Sequence, residues 1–195
     1  MILKPWFDLL DIGCKAINMD YKGMKMCELG DQTMRWSGHI SGKGYFTSKG
    51  VSEHVSIDLN GRHGALRLDL SKPIDKWNNY FDMVTNFGTI EHVENGIYEA
   101  FQNIHNFCKV GGVFIHMGPL VEFWPGHSPY HYHEDFFKKL MTVAKYRCIM
   151  EEVRMTLELG EVNKGCVCAV MVKENDIPFI TKEEFLKIGS IEEKK

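Results

Sequence analysis

The chain has 195 residues, 44% hydrophobic and 25% charged, with a formal net charge of −3. That length fits one domain with a full core, and the composition is ordinary for a soluble globular protein. The charge leaves no basic footprint for nucleic acid or an anionic membrane surface, and no apolar run approaches the roughly eighteen residues of a membrane-spanning helix.

In chain order, Met1–Phe7 lacks the charged-then-apolar layout of a secretion signal. Residues 5–19 place Trp6, Leu9, Leu10, Gly13 and Ile17 at three- and four-residue spacing, with Pro5 in the first turn, and predict an amphipathic helix. Lys25–Leu29 predicts a short buried strand ending at Gly30. Residues 31–50 are glycine-rich and polar, with a short helix expected around 43–49. A loop this long inside a domain is usually mobile or functional. His54–Leu59, Ala65–Leu70 and Tyr80–Asn86 predict the second, third and fourth strands. A helix over 95–108 follows, its apolar stripe formed by Ile97, Ala100, Phe101, Ile104, Phe107 and Cys108.

Lys109–Gly112 is expected to turn the chain into a strand over Val113–Met117. Residues 119–129 read as a loop and Glu134–Lys145 as a helix. Strands over about 147–157 and 165–173, joined by a turn containing Gly160 and Asn163–Gly165, form an antiparallel pair. Thr181-Lys-Glu-Glu184 is a capping-box pattern for a short terminal helix, and Glu192–Lys195 reads as a frayed tail. The order predicts a single α/β domain over 1–195: an N-terminal helix 5–19, a core 25–173 and a tail 177–195. Its sheet is mostly parallel and doubly wound, covered on both faces, with a C-terminal antiparallel hairpin. The six cysteines form no CxxC pair and read as reduced core thiols of a cytoplasmic protein.

Two segments carry the functional information: Lys25-Met-Cys-Glu-Leu-Gly-Asp31 and Val55-Ser-Ile-Asp-Leu59. Each is an apolar run ending in an acidic residue. In a parallel sheet this puts carboxylates at the carboxyl ends of neighbouring strands, where open α/β sheets bind ligands. A carboxylate at the end of the second strand can accept hydrogen bonds from a ribose, which points to a nucleoside-containing cofactor.

Taken together, the motifs resemble those of the class I S-adenosylmethionine-dependent methyltransferases. Cys27-Glu-Leu-Gly30 is similar to the family's first motif, and Ser56-Ile-Asp-Leu-Asn60 to its second. Arg67-Leu-Asp-Leu70 resembles the third-strand motif, whose acid lies near the adenine amine. Tyr80–Val93 resembles the fourth-strand segment, including the Glu-His-Val after it. Lys109–Ile115 resembles the glycine turn into strand five, and Tyr130–Phe137 the start of the next helix. The matches run from about 25 to 140 in the family's order. The chain departs from the family in its first loop, where Gly30 stands alone instead of two or three glycines.

The resemblance implies a Rossmann-like fold, S-adenosylmethionine as cofactor and, with no separate substrate domain visible, a small-molecule acceptor. It implies cofactor contacts at Glu28, Gly30, Asp58 (to the ribose), Asp69, Asn86 and Phe87. Asp69 also reads as a cap of the turn at Ser71–Pro73, and Phe87 as plain core. His116, His127, His131 and His133 group on the acceptor side. They read as a surface loop with a cap at His133, as acceptor binding with a histidine base, or as a metal site from His127-x3-His131-x-His133. His116, His127 and His131 are carried forward as candidate catalytic residues, with no metal. His92, in the first turn of a helix, reads as structural or as catalytic, and Trp124 and Tyr130 as walls or anchors of the loop. A nicotinamide-dependent oxidoreductase would require a Gly-x-Gly-x-x-Gly that is absent; a non-catalytic S-adenosylmethionine-fold binding protein is the other rival.

Overall fold

The computed structural model describes residues 2, 4–34, 37–156 and 164–193. Its elements in chain order are α1 (Asp8–Ala16), β1 (Lys25–Leu29), α2 (Gly42–Ser48), β2 (Glu53–Ile57), β3 (Phe81–Phe87), α3 (Ile97–Phe107), β4 (Cys108–Pro119), β5 (Tyr130–Tyr132), α4 (Phe136–Ala144), β6 (Tyr146–Thr156), β7 (Lys164–Lys173), α5 (Lys182–Lys187) and β8 (Ile191–Glu193). Six strands form one sheet in the order β2-β1-β3-β4-β7-β6. The first four are parallel, and β7 and β6 join antiparallel. This is the expected doubly wound sheet with its closing hairpin.

Strand alternation divides the core in two. On one face, Met26, Met83, Val113, Ile115 and Val170 pack against Leu9 and Leu10 of α1 and Phe46 of α2. On the other, Cys27, Leu29, Phe114, Ala169 and Met171 pack against Phe101 and Ile104 of α3, Phe137 of α4 and Phe185 of α5. Successive residues of a strand point to opposite faces, so an uninterrupted apolar run such as Val113–Ile115 serves both layers. Each large side chain so buried is worth about 1.5–3 kcal/mol.

The helix expected over 5–19 is shorter: Pro5 lies in a separate 3-10 turn, Lys4–Trp6, and α1 stops at Ala16. The turn expected at Lys109–Gly112 is a bulge within β4, because pairing jumps from Phe81↔Cys108 to Met83↔Val113. Lys109 forms an ion pair with Asp82 there. The expected third strand, Ala65–Leu70, is reduced to one bridge, Ile57↔Leu66. Local bonds replace its ladder: Leu68 N–H donates to Leu66 O at 3.0 Å, and Asp69 Oδ1 accepts from Ser71 N–H at 3.0 Å and Ser71 Oγ at 2.6 Å.

The tail is not frayed over Ile191–Glu193, which pairs antiparallel with β5 in a second small sheet. The hairpin turn at Gly160 and Asn163 and the final Lys194-Lys195 lie outside the described residues. The capping box of α5 forms as expected: Thr181 Oγ1 accepts from Glu184 N–H, and Glu184 Oε2 accepts from Thr181 N–H at 2.8 Å. All six cysteines are free, and only Cys148 is exposed. Among the described residues, no helix is long and apolar enough to cross a membrane.

A buried polar knot ties the sheet's far end. Lys173 Nζ donates to Asn79 Oδ1 at 2.8 Å and to the carbonyls of His105 and Cys108 at 3.0 Å each. His105 Nε2 donates to Ile177 O at 2.8 Å, which leaves Nδ1 to accept from Tyr146 Oη at 2.7 Å. Burial and the Lys173 charge lower the pKa of His105 to about 4.

Candidate functional site

The carboxyl ends of β1, β2 and β3 open into a cleft of about 630 Å³, within the usual range of small-molecule sites. Gly30, Asp31 and Gln32 form one wall. Ile57, Asp58 and Leu59 form the next, Leu68–Ser71 a third, and Gly88, Thr89, His92 and Val93 the last. A parallel sheet places ligands here because its strands end together and the loops diverge.

The chain leaves β1 through Gly30, whose φ of +82° belongs to the left-handed region that favours glycine. Its N–H donates to Ile57 O at 2.8 Å, which holds the loop against the end of β2. Asp58 is fixed by two backbone donors: Asp31 N–H on Oδ2 at 2.8 Å and Asn60 N–H on Oδ1 at 2.9 Å. Each oxygen keeps a second lone pair. Gln32 closes the gap between β1 and β3, its amide nitrogen 3.1 Å from Phe87 O and 3.3 Å from Leu29 O.

Of the residues expected to contact a cofactor, Gly30, Asp58 and Asp69 line this cleft, and Glu28, Asn86 and Phe87 do not. Glu28 points the opposite way, against Gly42 of α2, with Oε2 3.8 Å from His54 Nε2. Burial raises its pKa well above the carboxylate range, outweighing the Gln32 backbone amide, and lowers His54 to about 4. Burial thus favours the uncharged form of both side chains. Asn86 is buried and caps the turn after β3, its Oδ1 accepting from the N–H groups of Thr89 and Ile90 at 3.1 Å each. Asp69 carries its turn-capping bonds and an ion pair with Lys72 at 3.1 Å.

A second, apolar pocket of about 180 Å³ adjoins the cleft and shares Gly88 and His92 with it. Trp6, Phe87, Met117, Pro119, Trp124 and Cys166 make its walls, and Glu91 and His127 its polar atoms. Trp124 is fixed by donating from Nε1 to Gly165 O at 2.6 Å. Its carbonyl accepts from His131 Nε2 at 2.7 Å.

The grouped histidines thus separate. His127 lines the pocket, beside His92 with ring centroids 4.9 Å apart. His131 is buried and anchors the loop through Trp124. His133 pairs with Glu192 at 3.3 Å. His116 is buried on the other face of β4 among Phe101, Phe114 and Phe137, its Nδ1 without a partner, and burial lowers its pKa to about 3. His127, His131 and His133 do not converge on one point. Burial lowers the pKa of both His92 and His127, and raises that of fully buried Glu91 to about 8.

Sequence reading passed over Gln32, Trp6 and the Glu91–His127 proximity. The Glu-His-Val run after β3 was the available signal, for it sits in a 3-10 turn, Ile90–His92, at the lip of both cavities.

S-adenosylmethionine fits the cleft on its own geometry: a clamped carboxylate at the ribose end, apolar side walls at Ile57, Leu59, Leu68 and Val93, and bare glycine backbone at Gly30 and Gly88. Asp58→Ala is expected to weaken its binding by about 1.5–3 kcal/mol, the scale of a charge-assisted hydrogen bond, measured by calorimetry. Unchanged affinity in a folded variant would remove Asp58 from the site.

No protein-family model matches the sequence, and no curated protein matches it. Solved structures do. The 1,6-didemethyltoxoflavin-N1-methyltransferase of Burkholderia thailandensis, solved with 1,6-didemethyltoxoflavin and S-adenosylhomocysteine, is similar over 88% of this chain and 82% of its own, at 12% identity and a TM-score of 0.58. An S-adenosylmethionine-dependent methyltransferase of Aquifex aeolicus is similar over 87% and 89%, at 15% identity and 0.52. The cyclase SpnF is similar over 85% and 80%, at 11% identity and 0.61. The chain therefore has the fold of the class I S-adenosylmethionine-dependent methyltransferases.

Proposed function

We propose that this protein transfers a methyl group from S-adenosylmethionine to an oxygen or nitrogen of a small, largely apolar acceptor. The observation that carries the reading is the continuity of the two cavities through Gly88 and His92. The larger suits a nucleoside cofactor, and the smaller admits little more than a ring system. Bound S-adenosylmethionine supplies a methyl group already activated on a sulfonium.

The chain's own work is then alignment and exclusion of water. Asp58 takes the ribose hydroxyls, and the Gly30–Gln32 loop and Gly88 form the floor. Trp6, Phe87, Met117 and Trp124 enclose the acceptor and keep the junction dry. Of His116, His127 and His131, only His127 lines the apolar pocket, which supports it as the histidine that touches the acceptor. Its replacement, His127→Gln, is expected to lower turnover by about 10²-fold or more while donor affinity stays normal. Normal turnover would remove it from the site.

The likeness to a cyclase shows that this fold is not confined to proteins named as methyltransferases, and it leaves a second reading, in which this chain binds S-adenosylmethionine without transferring its methyl group. Calorimetry with S-adenosylmethionine, S-adenosylhomocysteine and NAD separates the cases at the level of binding. Formation of S-adenosylhomocysteine in the presence of acceptor candidates then separates methyl transfer from binding alone. Binding of NAD without either sulfur ligand would overturn the proposal.

A further inference from the structure

We infer that Glu91, His92 and His127 form a binding site for one divalent transition-metal ion at the junction of the two cavities. One potential ligand atom from each lies within 4.8 Å of the others. The groups come from two segments remote in sequence, the 3-10 turn after β3 and the loop before β5. Glu91 is fully buried, yet its Oε2 has no hydrogen-bond partner. A carboxyl oxygen buried without a donor is costly unless something completes it. His92 Nε2 stands 4.0 Å from the other oxygen, Oε1, beyond hydrogen-bond distance.

The geometry is open by a fixed and modest amount. Zinc–ligand bonds of about 2.0–2.2 Å put tetrahedral ligand atoms roughly 3.3 Å apart. The present spacing must therefore contract by about 1.5 Å or less. Glu91 is held by the core, and the two exposed imidazoles can supply that movement by side-chain rotation. Two imidazoles and one carboxylate are the ligand set of a borderline ion such as Zn²⁺, and not of Mg²⁺ or Ca²⁺, which prefer oxygen. The loop carrying His127 is already fixed by Trp124 and His131, the kind of outer support that orients a ligating ring.

Three protein ligands leave a coordination position open, and the apolar pocket lies beside it. If the methyl-transfer reading holds, on which this one step rests, the acceptor is a compound that can ligate a metal through the oxygen or nitrogen to be methylated. A phenol, an enol or a hydroxy acid has that property.

The test is a titration of chelator-treated full-length protein with Zn²⁺, with Co²⁺ as a spectroscopic probe and Mg²⁺ as control. One Zn²⁺ per chain is expected, with visible Co²⁺ absorption of a low-coordinate site and no competition from Mg²⁺. His92→Gln and His127→Gln are expected to weaken Zn²⁺ binding roughly tenfold or more. Both residues are exposed, so these variants keep the fold, and Glu91→Gln adds the buried ligand. His133→Gln, at a histidine outside the cluster, should leave the affinity unchanged. Absence of stoichiometric uptake overturns the site, as does equal affinity in the His92 and His127 variants. S-adenosylmethionine affinity is measured on the same samples: binding of the donor without zinc refutes the metal site alone, and binding of zinc without the donor refutes the methyl-transfer reading alone.

Discussion

Gly30→Val is expected to abolish S-adenosylmethionine binding and leave a folded sheet. The residue sits at φ +82°, where an ordinary side chain costs about 1–2 kcal/mol and a β-branched one more. Space is the larger obstacle. A Cβ there would lie 2.3 Å from Thr89 Oγ1 and 2.7 Å from Gln32 Nε2. Those atoms are the clamp between the strand ends: Thr89 Oγ1 donates to Leu29 O at 2.9 Å, and Gln32 bridges Leu29 to Phe87. Valine must push both aside, into the floor of the cleft and away from its shape. The core on either face of the sheet is untouched, so circular dichroism should be native-like, with a lowered melting temperature. Calorimetry that finds normal affinity in such a folded variant would show that the cofactor does not lie over Gly30.

His116→Leu is expected to gain about 3 kcal/mol on the wild type between pH 7 and pH 4. The folded-state pKa of His116 is lowered to about 3 by burial, against 6.5 for an exposed histidine. In that interval the unfolded chain takes up a proton that the folded chain refuses. Stability is thus complete above pH 6.5 and is lost as the pH falls toward the folded value. One proton corresponds to about 1.36 kcal/mol per pH unit, or about 3 kcal/mol down to pH 4. His105 and His54, both near 4, act in the same sense. Buried Glu28 and Glu91 act in the opposite sense, because their raised values make ionisation costly as the pH rises. The total profile is damped by this opposition, and the comparison with a leucine isolates the one histidine. Leucine also suits the three surrounding phenylalanines and removes a partnerless ring nitrogen. Denaturant unfolding at the two pH values measures the difference, and parallel curves for the two proteins would mean that His116 is charged or solvated in the fold.

Much of the fold was legible because it is local. Alternating apolar residues, the Thr181–Glu184 cap and the stripe on α3 are short-range patterns that packing reinforces. The acidic end of the second strand was legible for the same reason, and Asp58 does line the cleft. Glu28 shows the limit. It lies one residue from Cys27 and Leu29, so strand alternation turns it with Met26 toward α1 and α2 and away from the cleft. That parity was present in the sequence but was outweighed by the motif. Ala65–Leu70 looked like a strand by composition, yet Asp69 and Ser71 offered its backbone local bonds instead. The meeting of Glu91 and His92 with His127 was legible only at one end, in the Glu-His-Val run, since the other end depends on how a loop after β4 folds back over the end of β3.

The loop that carries Trp124 and His127 hangs from a closed frame. Leu120 N–H donates to Gly165 O at 3.0 Å and Val121 N–H to Tyr132 O at 2.9 Å, while β8 pairs along β5 and brings residues 191–193 to the same place. Such a frame separates two kinds of inheritance. Changes between 122 and 129 alter what the pocket admits and leave the strands that hold the loop as they were. Changes at 191–193 act the other way, loosening the frame under an unaltered loop. On the proposed reading, a lineage of chains built this way would exchange one acceptor for another by revising a few residues of the loop, and its members should differ most there and least over 191–193, a strand that lines neither cavity.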